Sequence, residues 1–191
     1  PFDGAPPRNV REYVNETFVK PGVRSFEDFV GGSHCMTPAY LQNQLDQSLR
    51  NMGLESVDVY YIHNPESQLG EVSKNEFYSR LKLAFERLEQ NRADGKLTYY
   101  GVATWNGFRV KPDAPQHHSL ERMFEIAREV GGDDHGFRFI QLPFNLAMQE
   151  GMPVLEAAKR LGVTAVASAS LLQGRIDPKA AIEFVRSVPE I

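Results

Sequence analysis

His63 is the residue of this 191-residue chain whose type and setting speak most directly of chemistry. It closes the apolar run Val57-Asp-Val-Tyr-Tyr-Ile62 and is followed by Asn64-Pro65-Glu66. A neutral imidazole at such a point can donate an N–H to a carbonyl oxygen on which negative charge develops. The plainer alternative is a histidine bonded to nearby backbone. Gln141 lies in a second run, Phe137-Arg-Phe-Ile-Gln-Leu142, and its amide carries both donors and an acceptor, the complement of a ligand amide. Alternatively it is a satisfied polar residue at the rim of the core. Ser168 and Ser170 end a third run, Thr164-Ala-Val-Ala-Ser168, and can offer hydroxyl or backbone N–H groups to a phosphate, although loop serines are common without any ligand. A fourth run, Leu97–Val102, exits through Ala103-Thr104-Trp105-Asn106. Trp105 with Phe108 suits either a flat ligand or the closing of a rim.

Other constellations fall away. His34-Cys35, His117-His118 and His135 lack a metal-ligand spacing such as H-E-x-x-H or paired C-x-x-C. No G-x-S-x-G nucleophile elbow is present. Asp133-Asp134, after Gly131-Gly132, reads as a solvated loop.

The four runs are β-branched or aromatic and read as buried strands, near 57, 97, 137 and 164. Amphipathic helices separate them. Thr37-Pro38 predicts a helix start, with the Thr37 hydroxyl as cap and a stripe of Leu41, Leu45, Leu49 and Met52 ending at Gly53. Ser73 opens the next, striped by Phe77, Leu81, Phe85 and Leu88 and ended by Asp94-Gly95. Ser119–Val130, Val154–Leu161 and a helix opened by Pro178 complete the series. Residues 1–36 read as an irregular excursion punctuated by Pro1, Gly4, Pro6, Pro7, Pro21, Gly22, Gly31 and Gly32, with Asn9–Val19 the one helical stretch.

Strict alternation of buried strands and helices means α/β architecture with a parallel sheet, whose reactive groups gather at the carboxyl ends of its strands. A doubly wound open sheet and a (β/α)8 TIM barrel both fit. No strand is followed by G-x-G-x-x-G or G-x-x-x-x-G-K-[ST], which favours the barrel. On simple alternation, Gln141 should share its side of the strand with Phe137 and Phe139.

Composition narrows the partners. With 21 Lys and Arg against 25 Asp and Glu, the net charge of −4 is opposite to that of an electrostatic nucleic-acid binder. No apolar run approaches the roughly 18 residues of a membrane span. One cysteine, Cys35, forms no intrachain disulfide, and a reducing cytoplasm is the default expectation.

The strand-end segments, in this order, resemble the aldo/keto reductase superfamily. The matching text is Leu45-Asp-Gln-Ser-Leu-Arg-Asn-Met-Gly-Leu54 before Val57-Asp-Val-Tyr-Tyr-Ile-His63. It continues with Phe85-Glu-Arg-Leu88, Gly95-Lys-Leu-Thr-Tyr-Tyr-Gly-Val102, Ile140-Gln141 and Ser170-Leu-Leu-Gln-Gly174, within residues 37–191. The resemblance implies a (β/α)8 barrel of which this chain covers roughly the middle four βα units, incomplete at both ends. It implies reduction of an aldehyde or ketone with NADPH, His63 as the active-site histidine, and a small-molecule carbonyl as partner. It also implies a cofactor held by Thr104, Gln141, Ser168, Ser170 and Leu171.

The family's Tyr, Lys and Asp lie on segments before the matched stretch. Lys20, in Phe18-Val-Lys-Pro21, is the one conceivable substitute for that lysine, but it sits on no convincing strand pattern. Two positions depart from the family. Ala103-Thr104 stand where Ser-Asn is common, leaving Thr104 one side-chain hydrogen bond to offer the nicotinamide amide, and Ser168 stands where an aromatic often stacks beneath the ring. A non-catalytic barrel relative that binds a nicotinamide nucleotide as sensor or subunit is the alternative reading. A parallel-sheet enzyme of another class is a third.

Overall fold

The computed structural model describes residues 9–31 and 34–191. Pro1, Gly4, Pro6, Pro7 and Gly32, read as punctuation in the sequence, lie outside these. Four parallel strands form one sheet: β1 (Val57–His63), β2 (Leu97–Ala103), β3 (Phe137–Pro143) and β4 (Thr164–Ser168). Six α-helices occur among the described residues: α1 (Val10–Val14), α2 (Pro38–Met52), α3 (Lys74–Ala93), α4 (Leu120–Gly131), α5 (Met152–Leu161) and α6 (Pro178–Arg186). Helices α3, α4 and α5 make the crossovers that parallel neighbours require. The strands lie in chain order, β1-β2-β3-β4. A doubly wound sheet reverses its order at a switch point, whereas this succession is an arc of a (β/α)8 barrel.

The helices form where their caps and apolar stripes direct. The Ser73 and Ser119 hydroxyls accept hydrogen bonds from the Glu76 and Arg122 N–H groups, each at 3.2 Å. Thr37 departs from the expected cap: its hydroxyl lies 3.4 Å from Cys35 Sγ and bonds no helix N–H. Pro38 at the first position of α2 has no N–H to satisfy and presets φ for the helix start. The stripes of α2, α3, α4 and α5 bury Leu45, Phe77, Leu81, Phe85, Met123 and Leu155 in one core with Ile62, Tyr100, Val102, Phe137 and Ile140 of the sheet.

One expectation of side-chain direction is corrected. Tyr100 pairs with Phe137, but Gly101 pairs with Phe139, so β3 carries a bulge at Arg138. The extra residue breaks the alternation. Phe137 therefore packs on the helix side, with ring centroids 5.2 Å from Phe85 and 6.0 Å from Tyr100. Phe139 lies on the other face beside the ring of Tyr99, 5.9 Å away, and Gln141 follows it there.

The leading segment packs onto this unit. α1 continues into a wider turn, Asn15–Val19, closed by the Lys20 N–H on the Asn15 carbonyl at 2.8 Å. Lys20 itself is exposed, paired with Glu16 and part of no strand. The buried Arg24 guanidinium lies 3.3 Å from the ring centre of Phe29, 4.6 Å from that of Phe18 and 4.5 Å from that of Tyr40 on α2. These cation–π contacts fasten the excursion to the helix layer.

Candidate active site

The strand ladder continues beyond the strand ends and stitches the four exits together. The Asn64 N–H donates to the Ala103 carbonyl at 2.6 Å, the Thr104 N–H to Gln141 at 2.8 Å, and the Phe144 N–H to Ser168 at 3.1 Å. His63 is in register with Ala103, Ala103 with Gln141, and Pro143 with Ser168. Strands about 4.8 Å apart put His63 and Gln141 about 10 Å from each other at the backbone, with only the methyl of Ala103 between them. The register thus sets an imidazole and an amide on either side of one small side chain.

His63 is exposed, and no described group hydrogen-bonds its ring. Immediately after it, Asn64 takes φ 46°, the left-handed conformation that Asn tolerates better than most residues, and turns the chain out of the sheet. Gln141 is half-buried, and no described residue takes up its amide. Thr104 is buried, and its hydroxyl bonds no described residue. Ser168 and Ser170 are half-buried, and the Ser170 hydroxyl donates weakly to the Ala167 carbonyl at 3.4 Å. Leu171 is exposed. In this loop Ala169, Leu172 and Gln173 take φ 52°, 45° and 56°, a strained conformation for residues other than glycine. The register thus brings His63, Gln141 and the Thr104 exit together, while Ser170 and Leu171 lie further on, in the loop after β4.

Two buried side chains hold these exits, and sequence reasoning assigned neither a role. Glu66 accepts hydrogen bonds on one carboxylate oxygen from the N–H groups of Trp105, Asn106 and Gly107, at 2.7, 2.9 and 3.4 Å. It thereby fixes the loop after Thr104 against the turn after His63, and leaves the Trp105 ring exposed at the rim. Asn145 donates from its amide to the Ala169 carbonyl and accepts from the Ala147 N–H, both at 2.9 Å, joining the exits of β3 and β4. The available signal was a side chain able to cap backbone within three residues of a strand end, a description both fit.

His118 is buried between the rings of Phe77 and Phe108, with neither ring nitrogen bonded to a described residue, and burial pushes its pKa down to about 3. Among the described residues no three His, Cys, Asp or Glu side chains converge on a metal position. No helix among them is long and apolar enough to cross a membrane.

Comparison with known proteins bears on the family and the fold. The family model described as "Aldo/keto reductase family" matches residues 29–184. A search of curated protein sequences finds no significant match. Similar solved structures include the glycerol dehydrogenase of Gluconobacter oxydans, 21% identical with a TM-score of 0.54, covering 76% of this chain and 38% of that one. The holo form of an aldo-keto reductase of Bacillus halodurans is 15% identical, with a TM-score of 0.52, covering 76% of this chain and 42% of its own. At such identities the likeness is one of fold, and the chain spans well under half the length of either protein. On the family match, over a stretch that contains all four strands and their exits, the chain belongs to the aldo/keto reductase family.

Proposed function

We propose that this chain contributes the substrate-orienting and nicotinamide-facing portion of an NAD(P)H-dependent reductase that converts an aldehyde or ketone to an alcohol. The observation that carries the reading is the register that places His63 and Gln141 on either side of Ala103 at the strand ends. It sets the His63 imidazole and the Gln141 amide on either side of one small side chain, and no described residue hydrogen-bonds either of them.

The residues present fit a nicotinamide nucleotide. The Gln141 amide and the buried Thr104 hydroxyl, which bonds no described residue, complement a carboxamide. Ser168, Ser170 and the backbone at Leu171 offer hydroxyl and N–H groups suited to phosphate. When bound, that cofactor supplies the hydride. NADPH is the preferred form by family resemblance.

His63 orients the carbonyl. Its ring N–H donates to the oxygen that gains charge as the carbonyl is reduced, and it is preorganised because the backbone on either side is held. Proton donation falls to the Tyr that the family resemblance implies, outside the segments described above. Residues 1–191 are read as one barrel domain, with residues 1–36 the excursion before its first clear helix.

The test is titration of the full-length protein with NADPH, followed by fluorescence, together with an assay of aldehyde-dependent NADPH oxidation. Saturable quenching and turnover support the reductase. Binding without turnover across varied aldehydes and ketones would favour the sensor reading, and absence of binding would remove both.

A further inference from the structure

The peptide unit that follows His63 is held on both sides. Its N–H, that of Asn64, donates to Ala103 within the sheet. Its carbonyl, that of His63, is reached from the opposite direction by His34, whose Nε2 lies 2.9 Å away. His34 is 29 residues earlier, in the segment before α2, where its backbone exchanges two 2.9 Å hydrogen bonds with Val30.

The hydrogen-bond chain behind His34 admits one protonation state. A carbonyl only accepts, so Nε2 must carry the hydrogen. Nδ1 lies 2.8 Å from the side-chain nitrogen of Gln68, and the Gln68 oxygen accepts from Arg80 at 2.8 Å. A guanidinium only donates, so the Gln68 amide is locked with its oxygen toward Arg80 and its NH₂ toward His34. Nδ1 must therefore offer a lone pair. Arg80 is held in turn by Glu76 at 2.7 Å, and Gln68 is buried. The donors run in one direction, from α3 through the Pro65–Gly70 turn to the last residue of β1.

We propose that His34, as the neutral Nε2–H tautomer, is the positioning residue of His63, fixing the carbonyl of the strand end so that the ring above it keeps one orientation. The proposal rests on the reading of His63 as the carbonyl-orienting residue.

A second proton on His34 would set an Nδ1–H against the Gln68 NH₂ and break the chain. The groups facing His34 set where this happens. Burial lowers its pKa, the bond to the His63 carbonyl and the Glu66 carboxylate raise it, and the His63 ring lowers it, with a net shift below the ordinary histidine value. Arg80, beyond Gln68, and Glu71, which accepts from the Gly31 N–H at 2.8 Å, complete the charged surroundings. The held state is thus the neutral-pH state, and acid releases it.

The experiment uses the full-length protein with ¹⁵N-labelled histidine, as wild type, His34→Gln and His34→Leu. The expected wild-type spectrum shows His34 as the Nε2–H tautomer with a pKa below 6.5. His34→Leu should shift the His63 ring resonances and lower kcat, by up to about 10²-fold for a misplaced orienting group, with NADPH affinity unchanged. His34→Gln keeps a donor for the carbonyl and an acceptor for Gln68, so it should restore most of kcat and lose the acid limb due to His34. An Nδ1–H tautomer, a cationic His34 at neutral pH, or unmoved His63 resonances in His34→Leu would overturn the proposal. The spectra are independent of turnover. Absent carbonyl reduction with the expected spectra would count against the reductase reading and leave the His34–His63 link standing.

Discussion

The Glu66 carboxylate lies 2.7 Å from the Trp105 N–H and is itself buried, so the exits of β1 and β2 are tied by a charged acceptor rather than by sheet hydrogen bonds alone. A charge-assisted bond of this kind contributes about 1.5–3 kcal/mol. Glu66→Ala leaves three backbone donors unmet and should lower unfolding free energy by at least that amount. Glu66→Gln, which keeps an acceptor oxygen, should lose less. Urea denaturation of the two variants measures the difference, and equal losses would mean that the bulk of the side chain, not its oxygen, secures the loop.

His63→Ala should reduce turnover by about 10²-fold or more, the size expected for one donor to a developing oxyanion. Its ring is exposed and bonds no described residue, so stability should change little. Steady-state kinetics alongside NADPH titration separates the two effects. Near-normal turnover would assign His63 to the surface.

Gln141→Ala should weaken cofactor binding by about 1–3 kcal/mol, because a ligand amide would lose its partner in a half-buried site. Fluorescence titration reads this directly. Unchanged affinity would remove Gln141 from the site.

Gly101→Ala tests the bulged pairing of β2 with β3. A Cβ at Gly101 would run into the Phe139 carbonyl, a backbone group that cannot swing aside. The strain should cost about 1–3 kcal/mol. Gly53→Ala is the control: a Cβ there meets nothing, and only the left-handed φ of 66° is penalised, by about 1 kcal/mol. Melting temperatures of the pair rank the two costs.

His118 makes the fold acid-sensitive. Its folded-state pKa, pushed down to about 3 by burial, is below the unfolded value, so the unfolded chain binds the extra proton first. The stability that comes from keeping this histidine neutral is fully present above about pH 6.5 and declines as pH falls toward 3, by about 1.4 kcal/mol per pH unit well below pH 6.5. His118→Leu should flatten that decline. Denaturation midpoints at pH 7 and pH 5 measure it, and an identical decline in the variant would place the sensitivity elsewhere.

The alternation of elements, their caps at Ser73 and Ser119, and the polar character of each strand exit were legible in the sequence because they rest on local periodicity and local hydrogen bonding. Residues such as Leu45, Leu81 and Phe85 announce a buried face by spacing alone, and His63 and Gln141 stand out as polar groups at or near the ends of apolar runs. Two local readings were overturned by neighbours: Thr37 turned toward Cys35, and the bulge at Arg138 sent Phe137 to the helix side. Which exit groups are consumed by the fold and which stay open was decided only in three dimensions. Glu66 finds Trp105 39 residues away, and His34 finds His63 across 29, whereas His63 and Gln141 keep side chains that nothing described takes up. Hydrogen-bond satisfaction depends on partners that the chain brings together by packing, so the same polar residue reads alike in sequence whether it braces the site or forms it.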